Sequence, residues 1–153
     1  MKQFSFTVLL LLATCGALLG ASTMQSSGDW TQAIRAANLT AGAGSDLPTQ
    51  FESASGATVQ SLTSKASWSI SVSKSDALWN SNLTLWVRRT SDGTGGGTIS
   101  GGQSYVQVTS ISTVLYSGSK DRSGIQLQYR ISGVSKGVPP SLYNTSVVFT
   151  LTP

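Results

Sequence analysis

The stretch GIQLQYRISG, residues 124–133, decides the fold. Its apolar residues Ile125, Leu127, Tyr129 and Ile131 alternate with Gln126, Gln128, Arg130 and Ser132. Successive side chains of a strand point to opposite faces, so a period of two predicts a ribbon buried on one side and wet on the other. The same period recurs in WSISVS (68–73) through Trp68, Ile70 and Val72, and in NLTLWVR (82–88) through Leu83, Leu85 and Val87. It returns in SVVFTLTP (146–153) through Val147, Phe149 and Leu151. Between these segments lie SKSDALWN (73–80), SDGTGGG (91–97), SGSKDRSG (117–124) and SKGVPPS (135–141), all rich in turn-forming residues. Sustained helical spacing is absent from the sequence. Short alternating strands with regular punctuation predict an all-β fold, an antiparallel immunoglobulin-like β-sandwich.

Ahead of that pattern the chain begins MKQFSFTVLLLLATCGALLGA, residues 1–21. One lysine, then an apolar run, then small residues is the order of a secretory signal peptide. Cleavage is expected after Ala21, with Ala17 as the alternative, and predicts a bacterial protein secreted or held at the cell surface. Cys15 is the only cysteine and would leave with the signal. A membrane enters only if the LATC box (12–15) directs lipidation of Cys15. The mature chain then has no disulfide, so its core alone must stabilise it. Residues 22–56 are expected to form a leader and first-strand region: STMQSSGDW a flexible lead, TQAIRAANLT a helical turn or a strand, AGAGSDLP a breaker. Residues 57–153 form the sandwich core, and 22–153 make one domain.

Charged residues are only 10% of the chain, and the net charge of +4 includes Lys2. The remaining bases are spread along the sequence, which argues against nucleic acid as a partner. The absence of histidine removes histidine-based acid–base chemistry and most zinc sites. Without a mature cysteine there is no thiol nucleophile. The six acids are Asp29, Asp46, Glu52, Asp76, Asp92 and Asp121, and none forms the Asp-x-Asp spacing of an oxygen-ligand site. Glu52 with Asp76, or Asp92 with Asp121, could in principle serve a glycosidase, but acids scattered over turns are ordinarily solvated. The expectation is a non-enzymatic protein without cofactor or metal.

The run RRTSDGTGGGTISGG, residues 88–102, resembles a phosphate cradle only superficially. A phosphate loop ends in Lys-Ser/Thr at a helix start, and a dinucleotide loop opens a helix. Neither feature follows here. The segment is expected to be a long glycine-rich hairpin loop, with Arg88 and Arg89 on opposite faces of the strand before it. Among the tryptophans, Trp68 is in phase with the core. Trp86 is out of phase with Leu85 and Val87, while Trp79 and Trp30 fall in the turn and the leader and are candidates for exposure. Exposed tryptophans stack on sugar rings, so Trp79 and Trp86 are candidate ligand-binding residues of a carbohydrate-binding module.

The ending ISGVSKGVPPSLYNTSVVFTLTP, residues 131–153, resembles that of bacterial pilin-like surface proteins of the spore coat U/Csu type. The matching residues are Tyr143, Thr145, Val147, Phe149 and Leu151. The resemblance implies a structural or adhesive subunit of a fimbrium-like surface assembly, joined to other subunits or to copies of itself by strand exchange. It implies Tyr143, Val147, Phe149 and Leu151 as the assembly strand and residues 22–40 as the candidate donor.

Overall fold

The computed structural model describes residues 22–153 and, for residues 5–12, the main chain. The expected signal-peptide cleavage after Ala21 or Ala17 and the lipidation of Cys15 lie outside the described residues. Among the described residues eleven strands follow in chain order: β1 (Ser5–Leu12), β2 (Thr23–Ser27), β3 (Gln50–Glu52), β4 (Thr58–Thr63), β5 (Ser67–Leu78), β6 (Thr84–Arg89), β7 (Ile99–Ser100), β8 (Val106–Val108), β9 (Thr113–Ser119), β10 (Arg122–Ser132) and β11 (Leu142–Thr152).

The alternating residues 125–132 lie in β10, the centre of a sheet ordered β2-β4-β10-β6-β8, with β3 also paired to β10. Its four inward residues, Ile125, Leu127, Tyr129 and Ile131, are 0% exposed. Burying each side chain of this size contributes about 1.5–3 kcal/mol. The second sheet runs β1-β11-β5-β9-β7. Every pairing is antiparallel except β1 with β11. From β4 to β11 each successive strand changes sheet, so the two sheets are stitched together at every step. Trp68, Ile70 and Val72 of β5, Tyr116 of β9, and Val147 and Phe149 of β11 belong to the same core as Leu85 and Val87 of β6. The coarse expectation is met: an all-β, sandwich-like pair of antiparallel sheets.

Four local expectations are corrected. Residues 73–78 are not a turn. They extend β5, because β11 pairs with it as far as Asn144↔Leu78, across a bulge at Asn144/Thr145. Main-chain pairing there overrides turn-forming side chains. The leader is not free either. β2 pairs with β4 from Thr23↔Thr63 to Ser27↔Val59, burying only Met24, and an edge strand needs little more. Trp30 is buried rather than exposed, stacked parallel to Tyr129 at 6.4 Å. Lastly, the glycine-rich segment does not close a simple hairpin. β6 pairs with β8, and the intervening chain detours to the other sheet to form β7 on β9. The stretch 31–40 contains Ile34 as a buried anchor and one 3-10 turn, Ala36–Asn38.

The core also holds polar groups, each paired. The Thr58 and Tyr129 hydroxyls lie 2.8 Å apart, and the Tyr116 hydroxyl donates to Gln60 Oε1, whose amide donates to Ser26 Oγ at 2.9 Å. Burial pushes the phenols of Tyr116 and Tyr129 well above the ordinary tyrosine range. Among the described residues no helix is long and apolar enough to cross a membrane.

Candidate functional site

The four residues expected on an assembly strand all lie on β11. Tyr143, Val147 and Phe149 are buried, and Leu151 packs partly buried against the same core. The Tyr143 hydroxyl donates to Pro139 O at 2.6 Å, fixing the start of the strand. Their side chains therefore serve the interior of their own sandwich. What β11 offers a second polypeptide is its main-chain edge. On one side it pairs with β5, and on the other it receives β1, in parallel, from Ser5↔Leu142 to Leu12↔Phe149. This register sets Phe6, Val8, Leu10 and Leu12 opposite Tyr143, Thr145, Val147 and Phe149. No other described strand pairs with that edge of β11. Residues 22–40, the donor that the resemblance implies, are committed elsewhere: β2 to β4, and Trp30 and Ile34 to the core.

The arginine pair before the glycine run divides as expected. Arg89 points inward with its side chain 2% exposed, whereas Arg88 lies half-buried on the outer face, over the ring of Tyr105. Arg89 donates through Nε and Nη2 to Gly101 O, at 3.0 and 2.8 Å, and through Nη1 to Asp92. Burial, and secondarily the neighbouring Arg122, draw its pKa below the usual guanidinium value. Arg122 reaches from β10 to Gly97 O. A Cβ on Gly97 would collide with Ser119 O, so glycine is what lets the loop lie against the end of β9. Two arginines thus clamp residues 92–101 from within, and the guanidinium of Arg89 is spent on the loop's own carbonyl.

The two candidate tryptophans are not one platform. Trp79, just after β5, packs against the core, and its indole donates to Leu83 O at 2.9 Å with Lys74 over the ring at 4.8 Å. Trp86 lies half-buried on the outer face of β6, donating to Ser132 Oγ at 2.9 Å. There Arg130 is 5.4 Å from Trp86 and 4.0 Å from Tyr105, and Arg88 is 4.7 Å from Tyr105. This ladder of aromatic and guanidinium groups was not legible in the sequence, because Tyr105 reaches the face from a loop. Burial, then the carboxylate of Glu52, raise the pKa of the Tyr105 phenol.

Five of the six acids have structural partners. Asp92 pairs with Arg89, Asp76 with Lys74, and Glu52 lies 4.0 Å from Arg130. Asp121 accepts from the Ser64 amide at 2.7 Å. Asp46 accepts from the amides of Leu47 and Lys136 at 2.8 and 2.9 Å, and these bonds hold its carboxyl below the ordinary range. Among the described residues no group of three or more potential metal ligands comes together. Compared with protein-family models and with curated proteins, the chain matches none.

Proposed function

We propose that this protein is an exported, non-enzymatic surface subunit with an immunoglobulin-like sandwich, structural or adhesive in role, that joins its partners by strand addition at the outer edge of β11. The observation that carries the proposal is the pairing of β1 on that edge. β1 comes from the apolar run that the sequence gives to a signal peptide, and cleavage after Ala21 would take it away. β11 would then present unpaired N–H and C=O groups along an eleven-residue strand, a template for another chain. A donor with apolar residues at alternate positions, as Phe6, Val8, Leu10 and Leu12 supply here, matches the seat.

The test is complementation in trans. Residues 22–153 are purified and mixed with a peptide of residues 5–12 carrying a lysine tail. The expected result is self-association of the truncated protein, suppressed by the peptide, together with a higher melting temperature at saturating peptide. A truncated protein that stays monomeric at high concentration, and melts identically with and without the peptide, removes the proposal.

A second function, glycan binding, is favoured by the Trp86–Arg130–Tyr105–Arg88 ladder on the outer face. Trp79 takes no part in it. Glycan-array binding that is lost in Trp86→Ala and kept in Trp79→Ala would support it; binding unchanged in both would sink it.

A further inference from the structure

Beside the core, the segment 34–47 and the loop after β10 enclose a cavity of about 310 Å³. Its apolar lining comes from Ile34, Leu39, Leu47 and Val138, and its rim from Arg35 and Lys136. Ile34, Leu47 and Val138 are also core residues, so the floor of the cavity is as fixed as the sandwich itself. The walls are tied across a large sequence separation. Asp46 accepts from the Leu47 and Lys136 amides, Thr40 donates to Asp46 O at 2.9 Å, and the Val134 amide donates to Thr49 O at 3.2 Å. The cavity therefore exists before any ligand arrives.

The charged residues of its lining, Arg35 and Lys136, are both cationic. Arg35 and Lys136 are exposed at the mouth, and among the described residues neither makes an ion pair. The Asp46 carboxylate feels Lys136 electrostatically, but its hydrogen bonds go to the two main-chain amides. A preformed apolar cavity with a few polar groups at its mouth is the ordinary form of a small-molecule site, and this one is at the small end of the range. At about 30 Å³ per water-sized volume it holds roughly ten heavy atoms.

We infer that this cavity binds an amphipathic monoanion, an alkyl carboxylate whose chain fills the space between Ile34, Leu39, Leu47 and Val138 and whose carboxylate meets Arg35 and Lys136. A sugar does not fit, because an apolar floor leaves its hydroxyls without partners. The inference is independent of strand addition at β11, and failure of either leaves the other standing.

Octanoate, octyltrimethylammonium and acetate are the probes, titrated into the full chain by calorimetry, with methyl chemical shifts of Ile34 and Val138 as the second readout. Octanoate is expected to bind and shift those methyls, the ammonium at least tenfold more weakly, and acetate not measurably. Arg35→Gln combined with Lys136→Gln, both surface changes, should weaken octanoate about tenfold without altering the melt. Ala36→Trp, at an exposed position of the lining, should block the cavity. Equal affinity for octanoate and the ammonium overturns the inference, as does octanoate binding that survives both variants. A concentration-dependent dimer dissolved by octanoate would assign the cavity to a second copy of the chain and also overturn it.

Discussion

Replacing Arg89 by methionine tests how the glycine-rich loop is held. The stem of the side chain stays packed, while three hydrogen bonds are lost: two to Gly101 O and one to Asp92. Hydrogen bonds from a charged donor contribute about 1.5–3 kcal/mol each, net of their exchange with water, and two of these three share one acceptor. Against that, removing a guanidinium whose side chain is 2% exposed recovers several kcal/mol of desolvation. Asp92 is 57% exposed, so losing its partner leaves it hydrated rather than stranded. The Gly101 carbonyl does lose its donors, which costs about 1–3 kcal/mol. The balance is a net loss of about 2 kcal/mol. For a domain of this size each kcal/mol shifts the melting temperature by roughly 3–5 °C, so Arg89→Met should melt about 6–10 °C lower. Arg88→Met removes bonds to the neutral Gln128 Oε1 on a half-buried face and should cost less than about 1 kcal/mol. Urea and thermal melts give both values, and limited proteolysis should show new cleavage within residues 90–102 only for Arg89→Met. Arg89→Met as stable as the parent, or Arg88→Met equally damaging, would refute the clamp. The first outcome would mean that burying the cation costs as much as its bonds return.

Gly118→Ala places a methyl 2.5 Å from the Trp68 ring and 2.6 Å from Thr98 O, and should destabilise by about 1–3 kcal/mol; adding Trp68→Leu relieves the ring clash but not the main-chain one, and a double-mutant cycle in urea measures the coupling. Because burial raises the Tyr116 and Tyr129 pKa values, the neutral phenols favour the native state. Stability is then intact below the unfolded value of about 10 and falls as pH rises beyond it. Tyrosinate absorbance should show these two phenols ionising only with unfolding. Asp46 has the opposite sign: its lowered pKa stabilises the fold above about pH 4, and that contribution disappears as pH falls below it. The gap in melting temperature between the parent and Asp46→Ala should therefore close in acid.

The outward and inward faces of β6, β10 and β11 were written in the sequence, because a strand with one buried face must alternate whatever its neighbours are. The opposite placement of Arg88 and Arg89 followed from the same rule, and so did Trp68 in the core and Trp86 outside it. Pairing partners were a different matter. Residues 73–78 carry turn-forming side chains, yet β11 is long enough to hold their main chain in β5. The polar TMQSS segment shows almost no alternation, yet β4 accepts it as an edge. Main-chain hydrogen bonds carry no side-chain signature, so neither the sheet crossing of residues 90–105 nor the parallel pairing of β1 with β11 could be read in advance. The cavity and the aromatic–arginine ladder are also tertiary, since Lys136 comes to line one cavity with Arg35, and Tyr105 meets Arg130, only after distant segments pack. Alternation is a property of one ribbon facing water; edges, seats and cavities belong to the way ribbons are laid against each other.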